Sequence, residues 1–166
     1  MREKKSSSTE SFFDTFESPV GRLYLEFTRK NLTGIHFQKP ARVPRKGHAS
    51  LLFIKELRDY FEKGREEFTQ RISLETGTEF DKKVWLALKE IPYGETRTYK
   101  WLAKKIGKPN ASRAVGQSLS RNPIPVLLPC HRIIESDGSL GGYSGGVNIK
   151  RRLLEIEYYK RMAGNG

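Results

Sequence analysis

The stretch Asn122-Pro123-Ile124-Pro125-Val126-Leu127-Leu128-Pro129-Cys130-His131-Arg132-Ile133-Ile134 organises the chain, and it holds the protein's one cysteine. Each of its prolines fixes its own φ and biases the preceding residue towards extended backbone. The segment reads as a stiff, mostly buried, non-helical run that delivers one thiol to one fixed place. A lone thiol in such a run is either a small buried hydrophobe or a nucleophile, and its neighbours decide which. In extended backbone, Cys130 and His131 point to opposite faces. If the chain turns here, the imidazole can reach the sulfur, directly or through a water. A carboxylate on the far ring nitrogen would then fix the tautomer and favour the imidazolium. Glu157 is the candidate; Glu135 and Asp137 follow too closely and sit on a turn.

Upstream of the cysteine, no Asp or Glu occurs from Thr96 to Ile134. That interval carries Arg97, Lys100, Lys104, Lys105, Lys108, Arg113, Arg121 and Arg132, within a chain of net charge +12. An acid-free basic stretch suits a phosphate-bearing partner. Its periodicity is helical. Thr78 and Asp81 form a capping box for a helix through Lys89 with Phe80, Val84, Ala87 and Leu88 inward. Thr98 caps a helix with Tyr99, Leu102, Ala103 and Ile106 inward. After Gly107-Lys108-Pro109, Asn110 caps a second helix with Ala111, Ala114, Val115 and Leu119 inward and Ser112, Arg113, Gln117 and Ser120 outward. Two short helices across a tight turn make a helix-turn-helix pattern. Downstream, Leu140 to Gly146 is a glycine-rich loop carrying Tyr143 and Ser144, and a last helix spans Asn148 to Arg161 with Ile149, Leu153, Leu154 and Ile156 inward.

The first half reads differently. Residues 1–8 are polar and predict a disordered tail. Phe12-Phe13, Leu23 to Phe27 and Ile35 to Phe37, separated by turn residues, predict a small antiparallel meander. Residues 38–49 predict a loop. Ser50 caps a helix from Leu51 to Glu62, with Leu51, Ile54, Leu57, Arg58 and Phe61 at helical spacing, ended by Gly64. Phe68 to Leu74 predicts one more strand. The fold class is α+β, with residues 9–77 as a support domain and 78–166 as the domain carrying the cysteine.

Pro129-Cys130-His131-Arg132, with Arg113-Ala-Val-Gly116, Asn122-Pro123 and Tyr143-Ser-Gly-Gly146 in order around it, resembles the O6-alkylguanine-DNA alkyltransferases. The resemblance is strong from about Phe80 to Glu157; in the first 75 residues only the outline of meander then helix fits. It implies a ribonuclease H-like first domain and a helix-turn-helix that enters the minor groove of double-stranded DNA. It implies one-time transfer of the alkyl group from O6-alkylguanine, and from O4-alkylthymine, to Cys130 after the nucleotide is flipped out. His131 then takes the thiol proton through a water, Glu157 orients His131, and Asn122 braces the cysteine segment. Tyr99 matches the proton donor to the leaving base, and Arg113 the side chain that fills the vacated stack. Tyr143, Ser144, Pro125 and Ile133 match the base pocket. Ala111, Ser112, Ala114, Gly116, Gln117, Ser120 and Arg121 fall on the DNA-facing side, where small residues allow close approach.

Composition limits the alternatives. At 166 residues and 36% hydrophobic the chain can bury a proper core. A single cysteine excludes an internal disulfide and any multi-cysteine metal site; no metal and no cofactor is expected, His36 and His48 reading as surface or packing residues. With no signal peptide and no bilayer-length apolar run, the sequence predicts an intracellular monomer without membrane association, cytoplasmic in a prokaryote or nuclear in a eukaryote. A non-enzymatic helix-turn-helix lesion sensor is the main rival, and it predicts no covalent product. A cysteine hydrolase or redox enzyme is the other, and redox cycling lacks its resolving thiol.

Overall fold

The computed structural model describes residues 10–164, so the tail expected over residues 1–8 lies outside the described residues. The fold is α+β, and the chain divides into two compact units between Glu75 and Thr76.

In the first unit, β1 (Ser11–Ser18), β2 (Gly21–Thr28) and β3 (Asn31–His36) form the antiparallel meander. Leu23, Leu25 and Phe27 alternate inward along β2, as the two-residue period of a strand requires. The expected loop over residues 38–49 also supplies β4 (Arg45–Lys46), which pairs parallel with β1 and gives the sheet order β3-β2-β1-β4. Helix α1 (Leu51–Lys63) is capped by the Ser50 side chain and ends on Gly64 in the left-handed region, φ 74°. Its inward face differs from the expected one. Leu51 is 88% exposed, while Phe53, Leu57, Tyr60 and Phe61 are buried. The strand expected over residues 68–74 shrinks to one bridge, Leu32 to Ile72. Thr69, before that bridge, is held by the buried Glu56 carboxylate, which accepts from its backbone N–H and hydroxyl.

In the second unit, the capping box of Thr78 and Asp81 opens α2 (Glu79–Ala87), which tightens into a 3-10 turn at Leu88–Glu90. Thr98 caps α3 (Tyr99–Lys105). Helix α4 (Ser112–Ser120) is not capped by Asn110; its N-cap is Ala111, with no side-chain hydrogen bond. A backbone bond from Ala111 N–H to Lys108 O closes the entry turn and leaves Asn110 one residue outside. Helix α5 (Val147–Gly164) is longer than expected, buries Leu153 and Ile156, and leaves Ile149 and Leu154 half-buried. Two-residue strands β5 (Arg97–Thr98) and β6 (Ile133–Ile134) pair parallel. This pairing brings the start of α3, with Tyr99, alongside the cysteine segment. Trp85 on α2, fully buried, donates its indole N–H to Ser118 O on α4.

Candidate active site

The proline-rich segment is buried, as its composition implies, but it coils rather than extends. Val126 adopts φ 77°, a left-handed conformation that β-branched residues avoid. Leu128 N–H bonds Ile124 O at 2.9 Å, and Cys130 N–H bonds Leu128 O at 2.7 Å across Pro129. With φ −79° and ψ 67°, Pro129 makes an inverse γ-turn. Asn122 ties this coil from within: its amide donates to Leu128 O at 2.8 Å and its oxygen accepts from Ile124 N–H at 3.0 Å. Cys130–Arg132 then form a 3-10 turn.

That turn sends His131 into the protein, where it is fully buried with Glu157. His131 Nε2 lies 2.6 Å from Glu157 Oε2. Arg132 grips the same carboxylate with two parallel bonds, Nε to Oε1 at 2.8 Å and Nη2 to Oε2 at 3.0 Å, and its Nη1 donates to Ile91 O. Gly94 N–H donates to Oε1 at 3.1 Å. Each oxygen of Glu157 thus accepts two hydrogen bonds. Burial alone would raise the Glu157 pKa, but His131 and Arg132 more than offset it and hold the carboxyl well below the usual range. The ionised carboxylate therefore accepts a hydrogen bond from His131 Nε2–H, which leaves Nδ1 as the acceptor; Nδ1 is buried with no hydrogen-bond partner among the described residues.

The expectation that Glu157 favours an imidazolium is corrected. Burial lowers the His131 pKa against the pull of Glu157, and the Arg132 and Lys150 charges lower it further. Glu157 pulls the ring towards the charged form more than any other group, but burial of the imidazole outweighs that pull. Burial likewise pushes the Cys130 thiol up to about 11, opposed by hydrogen bonding from Asn122, the charge of Lys150 and the Tyr143 hydroxyl. Both shifts favour the uncharged forms, a thiol next in sequence to a neutral imidazole.

Lys150 and Arg132 are the side chains that sequence reasoning missed here. Lys150 is 1% exposed and its ammonium is held by the carbonyls of Ile133, Leu140 and Gly142. It straps the loop carrying Tyr143 and Ser144 to β6. The signal existed: Lys150, Leu153 and Glu157 stand at i, i+3 and i+7, on one helical stripe.

Cys130 opens onto a cleft of about 560 Å³. Of the residues singled out in the sequence, Tyr99, Ser112, Arg113, Gly116, Ser120, Tyr143 and Ser144 line it with Cys130; Leu119, Glu135 and Gly142 complete the wall. Ala111, Ala114, Gln117, Arg121, Pro125 and Ile133 are not part of the lining; Pro125 and Ile133 are buried. Gly141 is required beside Tyr99: its φ is 73°, and a Cβ there would fall 2.8 Å from the Tyr99 hydroxyl.

The basic stretch is thinner in space than in sequence. Arg97 pairs with Glu95, Lys105 with Glu90, Arg121 with Asp81 and Arg132 with Glu157. Lys100, Lys104, Lys108 and Arg113 are exposed and hold no ion pair among the described residues. Arg121 belongs to a clasp: buried Asp81 accepts from Arg121 at 2.8 Å, from the Ser118 hydroxyl at 2.6 Å and from Thr78 N–H at 3.0 Å, joining the start of α2 to the end of α4.

A buried thiol on a cleft floor, backed by histidine and a saturated carboxylate and flanked by a pair of helices with exposed cations, defines the class of cysteine-bearing proteins that act on an anionic partner. A family model described as the DNA binding domain of 6-O-methylguanine DNA methyltransferase matches residues 79–159. The methylated-DNA–protein-cysteine methyltransferase of Methanosarcina barkeri is 45% identical over 153 residues, covering 88% of this chain and 96% of that protein. Its namesake in Mycobacterium tuberculosis is 41% identical over 151 residues, 87% of this chain and 91% of that one. A crystal structure of Mycobacterium tuberculosis OGT in complex with DNA superposes with a TM-score of 0.82 at 40% identity, covering 90% and 94% of the two chains. The O6-methylguanine-DNA methyltransferase of Pyrococcus kodakaraensis gives 0.68 at 27% identity, covering 89% and 98%. The chain belongs to the methylated-DNA–protein-cysteine methyltransferase family, as a DNA-repair methyltransferase with the family's DNA-binding domain.

Proposed function

We propose that the protein repairs double-stranded DNA by irreversible, single-turnover transfer of the alkyl group from O6-alkylguanine, and from O4-alkylthymine, to Cys130. The observation that carries this reading is a cleft-floor Cys130 next to a His131 whose Nε2 is committed to Glu157. His131 Nδ1 accepts the thiol proton through an intervening water as the Sγ–carbon bond forms and the carbon–O6 bond breaks. Tyr99 donates a proton to guanine N3, so that the base leaves neutral. Burial raises the Tyr99 pKa, with Glu135 and Cys130 adding to it, which keeps that proton in place until the base demands it. Asn122 holds the cysteine coil in its strained form. Tyr143 and Ser144, on the cleft wall, frame the flipped base, and the buried Pro125 and Ile133 do not reach it.

Flipping a nucleotide out of the stack costs a few kcal/mol. Arg113, exposed on α4 at the cleft edge, fills the vacated place, and Lys100, Lys104 and Lys108 meet phosphates. Ala111, Ser112, Ala114, Gly116, Gln117 and Ser120 present the small and polar face that approaches the groove, while Arg121 acts through its hold on Asp81. The product is a thioether without an electrophilic carbonyl, and the chain has no second thiol to displace it. Each molecule, an intracellular monomer, therefore acts once.

Intact-protein mass spectrometry after mixing with a duplex holding one O6-methylguanine tests this. The expected result is a gain of one methyl group per molecule, mapped to Cys130 and absent in Cys130→Ser. Continued loss of lesion in excess over protein would defeat single turnover. Binding without any mass gain would return the lesion-sensor reading.

A further inference from the structure

Among the described residues, two that are not glycine adopt a positive φ. One is Val126, in the coil before Cys130. The other is Arg29, at φ 57°, in the two-residue turn Arg29-Lys30 that joins β2 to β3. Such turns are ordinarily built with Asn-Gly or Asp-Gly, which reach the left-handed region with little strain. Two cations stand there instead, and strained backbone of this kind gathers at functional positions. A third cation is brought to the turn. The Gln70 side-chain amide donates to Lys30 O at 2.8 Å and to Arg71 O at 2.9 Å, and Leu32 N–H donates to the same Arg71 O at 2.9 Å. Lys30 and Arg71 are thereby fixed as neighbours.

Both residues line a cavity of about 580 Å³ in the first unit, which shares no lining residue with the cleft at Cys130. Phe12, Phe27, Phe53 and Leu52 give it an apolar lining, and Leu52 is 57% exposed. The one carboxylate in the wall, Glu56, is already committed to Thr69 and Arg65, and Arg29 is paired with Glu10 at 3.0 Å. The side chains of Lys30, Arg71 and His48, also in the lining, hold no ion pair or hydrogen bond among the described residues. We propose that this cavity binds a small organic anion, its head group held by Lys30 and Arg71 and its apolar body by Phe12 and Leu52. Neighbouring cations without a counter-ion repel each other, so an anion is the ligand their rim favours. A guanidinium grips a carboxylate or a phosphate through two parallel bonds. A bare ion would leave the apolar lining in water, and an uncharged molecule would leave the cations unmatched. The volume lies within the range of small-molecule sites. Nothing in this site calls on Cys130, so binding here is independent of alkyl transfer.

The test is a fluorescence titration of the full chain with anilinonaphthalene sulfonate, a dye that joins an anionic head to an apolar body. Wild type and Cys130→Ser should bind it saturably and alike. Lys30→Gln combined with Arg71→Gln should raise the Kd roughly tenfold or more, since two charge-assisted contacts are lost. Lys100→Gln combined with Lys104→Gln, which removes exposed cations of the second unit, should change it less than about twofold. Thermal unfolding confirms that each variant is folded. Octanoate and deoxyguanosine monophosphate then compete with the dye, and whichever displaces it tells a carboxylate ligand from a phosphate one. Absence of saturable binding would overturn the proposal, and so would equal weakening by the two double variants, which would mark a general attraction to basic surface. Displacement by neither competitor would show a site for the dye alone and would overturn it as well.

Discussion

The N-terminal unit closes over Leu23, Leu25, Phe27, Phe53 and Phe61, and the charged side chains it buries among the described residues, Glu56 and Asp59, serve a neighbouring loop and lysines of their own helix. The C-terminal unit buries Asp81, His131, Arg132, Lys150 and Glu157, most of them within one bonded group around the cysteine. Burying ionised groups is expensive unless every donor and acceptor is met, and a fully apolar replacement is often as stable. The contrast teaches where stability and chemistry are separated in this chain. One unit uses its core to fold, and the other gives up apolar packing to fix an imidazole, a carboxylate and a thiol.

Breaking the Glu157 carboxylate should have the largest effect. Glu157→Gln leaves the buried Arg132 guanidinium without its counter-charge and should cost about 3–5 kcal/mol of stability, as for other broken buried pairs. Denaturant unfolding measures that loss, and the rate of thiol alkylation by free O6-benzylguanine should fall with it; an unchanged rate and stability would remove Glu157 from the network. Phe53→Ala should cost about 3–4 kcal/mol by leaving a cavity in the first unit. Methyl uptake per folded molecule should then stay the same, and a parallel loss of activity would blur the division between the units.

Lys150→Met should cost about 1–3 kcal/mol, because three carbonyls lose their shared donor. The expected signature is a lower second-order rate constant for reaction with free O6-benzylguanine as the Tyr143 loop loosens, together with a Cys130 titration moved further up. The smallest effect is on pH. His131 has a lowered pKa when folded, so the unfolded chain binds more protons below about pH 6.5 and stability declines as pH falls from there towards the folded value. Between pH 6.5 and 5.5 the loss should reach at most about 1.4 kcal/mol. Urea unfolding at both pH values, compared with His131→Gln, checks it: the variant should lose that part of the slope. Glu157, lowered in turn, adds its own loss only below the ordinary glutamate range near 4.5.

Legibility in the sequence followed the range of the interaction. Ser50, Thr78, Thr98 and Gly64 were readable as helix punctuation because each acts within five residues of itself. Asn110 misled because a competing backbone turn lay one residue further on. Leu51 misled because helical spacing gives the period of a stripe and not which stripe the sheet will cover. The acid-free stretch overstated the free charge for the same reason. Arg121 finds Asp81 across 40 residues and Arg132 finds Glu157 across 25, and no local pattern records such partners.

The sequence by itself picked out Cys130, the histidine after it, the carboxylate that this histidine bonds and the α+β order of elements, since these rest on an unusual residue run, on periodicity and on caps. Only the tertiary structure decided the shared hold of His131 and Arg132 on Glu157, the strap of Lys150, and which cations remain free. Those depend on burial and on which distant groups share a hydrogen bond, and both arise only when the chain has closed on itself.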